Sequence, residues 1–319
     1  MLSRDIEMFR AVMTAGSATK AARLLEVSQP AVSQALKRLE ERAGIDLFQR
    51  VRGKLLPTRE AVALLNEVQR HFVGMDQIDH RIGTLKQLSA GRVRIASFPG
   101  LGVGFLPRVL ADMPEECAGT LVSLQVMGSQ DVRATVLRGE VELGVVADDV
   151  QVSGIEHSLF ARYFGLVALP AGHSLAECSV ITPVQLARYP FIALNPDDVV
   201  SLRLDAICRA HGVKLRTAME TPYTITICEL VRNGIGIAIV NPVTACDYRN
   251  SGLVFRPFSE RVDFAALTVW PAGALLSTFA RAFLGAMRKR LDVDMGTLSS
   301  SMPAAARKVV LHQFQGTRD

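Results

Sequence analysis

Residues 17–44 read SATKAARLLEVSQPAVSQALKRLEERAG, a helical pattern of apolar residues with Pro30 in its middle. A proline inside a helix removes a backbone donor and collides with the preceding turn, at a cost of about 3 kcal/mol. One continuous helix is therefore excluded. Two helices resolve the conflict, one over 18–25 and one beginning near Gln29. Pro30 then falls in the first turn of the second helix, where its missing N–H has no intrahelical partner to lose. Ser28 stands where a hydroxyl caps that turn. Glu26 and Val27 leave only a tight connection, which makes the pair a helix-turn-helix.

The second helix sorts by face. Val32, Ala35, Leu36 and Leu39 recur at helical intervals and pack on Phe9, Val12, Ala22 and Leu25. The opposite face carries Gln29, Ser33 and Lys37 at intervals of four, with Gln34 beside them. Amides and hydroxyls on a helix in the major groove read base edges, and lysine reaches guanine or phosphate. The alternative is an ordinary solvated helix face. Charge favours double-stranded DNA: residues 1–59 hold 11 Lys and Arg against 6 Asp and Glu, and the whole chain is formally +5, so the surplus lies in this segment.

Downstream, GIDLFQRVRGKLLPTREA (44–61) sets the apolar pair Leu47 and Phe48 before Arg50, Arg52 and Lys54 around Gly53. This pattern predicts a β-hairpin wing with a basic tip on the DNA backbone or in the minor groove. Thr58 then caps a long helix, the expected linker over 59–90, with apolar residues at 61, 65, 68, 72, 75, 78, 82, 85 and 88. At 1.5 Å per residue such a helix runs about 40 Å, too long for a small N-terminal domain to cover its stripe. The same helix of a second subunit is the simplest cover, giving a homodimer, and the alternative is packing on its own chain.

The stretch FRAVMTAGSATKAARLLEVSQPAVSQALKRLEERAGIDLFQRVRGKLLPT (9–58) closely resembles the winged helix-turn-helix of the LysR-type transcriptional regulators. The family pattern matches at Ala21, Ala22, Leu25, the run Ser28, Gln29, Pro30, Ala31, Val32 and Ser33, then Leu39, Glu40, Gly44, Leu47, Phe48 and Arg50. One departure is PTREA (57–61), where most members carry Thr-Pro-x-Gly. The resemblance implies an α+β protein: a winged helix-turn-helix (1–58), a linker and dimerisation helix (59–90), and a two-lobed α/β effector domain like the periplasmic binding proteins (91–298). Lobe I would cover about 91–162 and 266–298, and lobe II about 163–265. A tetramer is the family's usual assembly, and RNA polymerase would be a partner if the protein is an activator.

The remaining sequence supports that layout by itself. Apolar strands at 92–97, 121–128, 141–146 and 164–170 alternate with helical stretches near 104–113 and 129–138. A second set follows: 191–194, a helix near 199–211, a strand near 214–220, a helix near 224–233, and 236–241. A strand at 264–270 and a helix at 275–290 return to the first lobe, and the alternation predicts doubly wound α/β sheets. The tail from about Ser299 to 319, rich in Ala, Ser and basic residues, is expected to be mobile.

Ligands in such folds sit at the carboxyl ends of strands, where helix N-termini offer N–H groups to anions. Candidate effector contacts are Ser97, Phe98 and Pro99, then Ser129 and Gln130, then Asp148 beside Asp149 in the first lobe, and Asn195, Thr221, Thr224 and Asn241 in the second. Each hydroxyl or amide has the alternative role of a helix cap, and the two aspartates that of a solvated turn. Ser97, Ser129 and Thr224 are the expected donors to an anion, and Asp148 the expected partner of an ammonium group.

PGLGVG (99–104) is Gly-x-Gly-x-Gly without the dinucleotide fingerprint's third glycine at its interval, and no acidic residue ends the next strand. No cofactor is expected there. Cys117, Cys178, Cys208, Cys228 and Cys246 form no C-x-x-C and lack histidines at metal spacing, so buried reduced thiols and no metal are expected. No nucleophile or cofactor lysine stands in an enzymatic context. No run of 18 apolar residues occurs, and the protein is expected to be soluble and cytoplasmic. A solute-binding protein would share the two lobes but has no use for the first 88 residues.

Within the family, FRAVMTAGS (9–17), LFQRVRGKLLPT (47–58), EVQRHFVGMDQI (67–78) and VRNGIGIAIVNPVTACDYRNSGLVFRPF (231–258) are most similar to the founding member, which controls diaminopimelate decarboxylase in lysine synthesis, and next to the regulators of opine catabolism. That resemblance implies an amino-acid-like effector, diaminopimelate or lysine foremost, with an opine, arginine or another catabolic carboxylate as the alternative.

Overall fold

The computed structural model describes residues 2–51, 54–65, 67–68 and 92–307. It forms two compact units, Met1–His80 and Arg81–Asp319.

In the first unit, helices α1 (Leu2–Ala15), α2 (Ala18–Leu24) and α3 (Gln29–Ala43) precede the antiparallel hairpin of β1 (Phe48–Val51) and β2 (Lys54–Pro57). Ser17 caps α2, its Oγ accepting from Lys20 N at 3.2 Å. Glu26, at φ 53°, takes the left-handed conformation that lets so short a turn reverse the chain. Ser28 Oγ accepts from Ala31 N at 3.4 Å, and Pro30 occupies the first turn of α3. The helix ends at Gly44, whose φ of 68° suits a residue without a Cβ.

Phe9, Val12, Ala22, Val32, Ala35, Leu36, Leu39 and Leu47 form the buried core, and the Phe9 and Phe48 rings meet edge-on with centroids 5.9 Å apart. Glu40 Oε1 accepts from Leu47 N at 2.8 Å and Phe48 N at 3.0 Å, tying the hairpin to α3. Thr58 Oγ1 accepts from Ala61 N at 3.2 Å and opens the next helix, described as far as residue 68. The rest of the expected linker helix, Arg52 and the side chains of Arg50 and Lys54 lie outside the described residues.

The second unit carries strands β3 (Arg92–Ser97), β4 (Leu121–Val126), β5 (Leu143–Ala147), β6 (Ile155–Phe164), β7 (Leu166–Pro170), β8 (Pro190–Ala193), β9 (Arg216–Glu220), β10 (Ala238–Val240), β11 (Leu253–Pro257) and β12 (Asp263–Pro271). Its helices are α4 (Pro99–Gly102), α5 (Phe105–Ala111), α6 (Ser129–Leu137), α7 (Pro183–Leu186), α8 (Val199–Ala210), α9 (Thr224–Arg232), α10 (Pro242–Tyr248) and α11 (Thr278–Ser300). The first lobe is built on a sheet ordered β4-β3-β5-β12-β6. The second is built on β10-β7-β11 together with the pair β8-β9.

The α/β alternation holds, and the sheets are mixed. β3 runs parallel to β4 and β5, but β12 returns antiparallel to β5 and β6, and β7 is antiparallel to both its neighbours. β6 had no counterpart in the sequence reading, because Glu156, His157, Ser158 and Arg162 break its apolar pattern. It lies at the sheet edge, where such residues face water.

The expected mobile tail is corrected for 299–307. Leu298, Ser299, Met302 and Ala306 are buried, and α11 runs on to Ser300. That helix is held by Asp294, 3% exposed, which pairs with Arg108 of α5 at 2.7 Å while Arg108 also pairs with Asp247 of α10. Residues 308–319 lie outside the described residues.

Candidate DNA interface and effector cleft

On α3 the polar face is presented as the spacing predicts. Ser28, Gln29, Pro30, Gln34 and Lys37 are exposed and Ser33 is half-buried. Ser28 and Pro30 shape the start of the helix, whereas the others are available to read. Gln29 Nε2 donates to Ser33 Oγ at 2.8 Å, and Lys37 meets Glu41 at 3.7 Å with both side chains largely in water. Gln29, Ser33 and Lys37 line a concavity of about 650 Å³ together with Ser17, which caps α2, Thr19 of α2, and Leu55 and Leu56 of the hairpin. Gln34 is outside this groove.

In the second unit, strand ends from both lobes converge on a cleft of about 340 Å³. Phe98, Pro99, Ser129, Gln130, Asp148, Asn195, Thr224 and Asn241 line it, along with Asp149, Asp197, Asp198 and Tyr223. Two expected residues do not. Ser97 is fully buried with Oγ donating to Phe98 O at 3.0 Å, and Thr221 is held outside, its N–H donating to Ala193 O at 3.1 Å. Ser97 ends β3, where its side chain alternates away from the cleft that its neighbour Phe98 faces, and Thr221 follows directly after β9.

Several lining groups are already engaged. Ser129 Oγ accepts from Ala147 N at 3.1 Å and also bonds Asp149, so it is not a free donor for an anion. Asn241 Oδ1 accepts from Val243 N at 2.8 Å as a helix cap. Asp148, the expected ammonium partner, is already engaged: its Oδ2 accepts from Arg203 Nη2 of α8 at 2.8 Å. What remains open to an anion is backbone. α6 and α9 start at the cleft after Gly128 and Tyr223, neither of which makes a side-chain capping bond, so their first-turn N–H groups are available.

The opposite charge preference comes from the aspartates. Burial pushes the Asp149 carboxyl above its usual range despite the Ser129 hydrogen bond, and Asp148 adds repulsion. Burial also raises Asp198, against the Val200 N–H it accepts from, with Asp149 and Asp148 repelling it in turn. No lysine or arginine lines the cleft among the described residues. Asp197, Asp198 and Arg203 were missed in the sequence. Asp198 caps α8 and both aspartates directly precede it, while Arg203 sits in mid-helix with no local signal.

The glycines of PGLGVG serve packing. A Cβ on Gly104 would collide with the Asp247 carboxylate, and one on Gly100 with the Phe98 ring. No group of three or more His, Cys, Asp or Glu that could hold a metal occurs among the described residues, and no helix there is long and apolar enough to cross a membrane. All five cysteines are free. Only Cys208 and Cys228 are buried, the other three being half-buried, which corrects the expectation for those three. Burial pushes the Cys208 thiol up to about 11 and the Cys246 thiol up to about 12.

Residues 3–62 match the bacterial regulatory helix-turn-helix protein family of the lysR type, and residues 86–292 match the LysR substrate binding domain. The transcriptional activator protein LysR of Escherichia coli (strain K12) is 35% identical over 302 residues, 95% of this chain and 97% of that protein. The octopine catabolism/uptake operon regulatory protein OccR of Rhizobium meliloti is 34% identical over 283 residues, 88% of this chain and 93% of that one. Among solved structures, an OxyR mutant of Corynebacterium glutamicum shares the fold with a TM-score of 0.56 at 17% identity, covering 94% of this chain and 96% of its own. With the exposed polar face of α3 and the polar cleft of the second unit as its candidate surfaces, the chain belongs to the LysR-type family of DNA-binding transcriptional regulators, which are not enzymes.

Proposed function

We propose that this regulator's action at its promoter is controlled by a small amino-acid-like effector in the cleft. One observation carries the reading: helix N-termini without side-chain caps share one concavity with Asp149 and Asp198, and no cationic side chain lines it among the described residues. A carboxylate is favoured at the N-termini of α6 and α9, where Thr224 and Gln130 lie, and an ammonium or guanidinium group at Asp149 and Asp198. A simple dicarboxylate satisfies the first half and is repelled by the second. Diaminopimelate and lysine fit both, and similarity to LysR supports them. Similarity to a regulator of octopine catabolism supports a second reading, an opine or arginine.

Calorimetry and thermal shift against diaminopimelate, lysine, arginine, octopine and plain dicarboxylates test this. Binding by at least one amino compound is expected, and stabilisation by dicarboxylates alone would overturn the reading. The protein also acts as a dimer through its linker stripe, a proposal supported by the apolar periodicity from residue 61 to 88. Phe72→Glu is expected to halve the mass seen in sedimentation, and an unchanged mass would mean the stripe packs within one chain.

A further inference from the structure

Arg203 is absent from the cleft wall, yet it is bonded to a residue that forms it. Its guanidinium spans from α8 in the second lobe to the first, Nη2 donating to Asp148 Oδ2 at 2.8 Å and Nη1 to the Asp263 carbonyl at 2.6 Å. Asp148 follows β5 and Asp263 begins β12, so one side chain ties α8 to the ends of two antiparallel neighbours. The pair is only partly solvated, with Arg203 34% and Asp148 22% exposed, so it is less screened than a surface pair. Seated there, the arginine occupies the position a ligand's cation would take on Asp148.

We propose that Arg203 is a specificity-determining residue of the effector cleft. By holding Asp148 it withdraws one of the cleft's carboxylates, limits the number of positive groups the effector can place there, and acts as a built-in competitor of guanidinium ligands. The inference rests on the amino-acid reading of the same cleft. Arg203 works through Asp148 and is a positioning residue, so its signature is selectivity rather than overall affinity.

L-arginine and L-citrulline separate the two, because they have nearly the same shape and differ in whether the distal group is charged. Calorimetry gives the ratio of their affinities for each variant. In Arg203→Gln, Asp148 is freed and the ratio of arginine to citrulline is expected to rise by about tenfold, the size of one charge-assisted contact. Asp148→Asn, which leaves Arg203 without its acid, should lower the ratio. The double variant should cancel the rise, and Arg203→Lys should restore the original ratio. An unchanged ratio in Arg203→Gln, or a rise that survives Asp148→Asn, overturns the proposal. Asp148→Asn is nearly isosteric and preserves the Asp263 bond, so it remains informative if Arg203→Gln fails to fold. Should the unaltered protein bind no amino compound, the amino-acid reading fails, yet Arg203→Gln is still expected to gain arginine binding. Silence from every variant overturns both.

Discussion

The polar face of α3 and the cleft of the second unit both carry polar groups, but they differ in what those groups are bonded to and how far they stand in water. On α3, Gln29 and Ser33 bond each other, and Lys37 touches Glu41 through solvent-exposed ends. In the cleft, Ser129, Asn241, Asp198 and Asp148 are each fixed by a backbone or side-chain partner. Exposed side chains that bond only each other suit a long, hydrated DNA groove. Fixed groups suit a small ligand, whose few atoms supply too little energy to reorganise the site.

The comparison breaks most decisively if the two units are separated by mutation. Phe9 is fully buried between the helices and the hairpin. Phe9→Ala is expected to destabilise the first unit by about 3–5 kcal/mol. DNA binding should vanish in gel shift while effector binding by calorimetry persists, and joint loss would show that the second unit depends on the first.

A smaller effect distinguishes reading from docking. Lys37→Ala and Gln34→Ala are each expected to cost about 1–3 kcal/mol on cognate DNA and less on random DNA. Arg52→Ala in the wing should weaken both and flatten the salt dependence. Equal losses on both DNAs for all three would remove the base-reading role of α3.

The cleft's fixed aspartates give a third test with opposite signs. Burial raises Asp149 and Asp198 above the value they have in the unfolded chain, so folding favours their protonated forms. Their contribution to stability is therefore full at low pH and is lost as pH rises through the raised folded values. Affinity for a cation runs the other way, falling as pH drops through that window. Asp149→Asn and Asp198→Asn should each raise the melting temperature at neutral pH and weaken amino-acid binding, since asparagine still caps α8. A lower melting temperature together with unchanged binding would contradict this. The smallest effect is at Thr221. Thr221→Ala should leave effector affinity unchanged, because its side chain does not line the cleft.

The first unit was legible because its evidence is local. Pro30, Ser28 and the spacing of Val32, Leu36 and Leu39 lie within one or two turns of one another, and they decide helix starts and faces without tertiary help. The cleft was legible only through topology. Strand ends and helix starts converge in any such sheet, so Phe98, Gln130, Asn195 and Thr224 could be placed without knowing their partners. Where each side chain's bond goes was not legible. Asp148 looked free in the sequence because Arg203, 55 residues away, gives no sign of reaching it. Ser97 looked available because a strand's last residue reads the same whichever face it takes.

Footprinting on the protein's own promoter DNA, with and without the amino compound that calorimetry selects, tests the coupling of these two surfaces most directly. The expected result is a footprint that shifts or extends with ligand in the unaltered protein and stays fixed in the Asp149→Asn, Asp198→Asn double variant, which keeps its affinity for DNA. A footprint indifferent to every cleft ligand, or one that still responds in the double variant, would contradict control through this cleft.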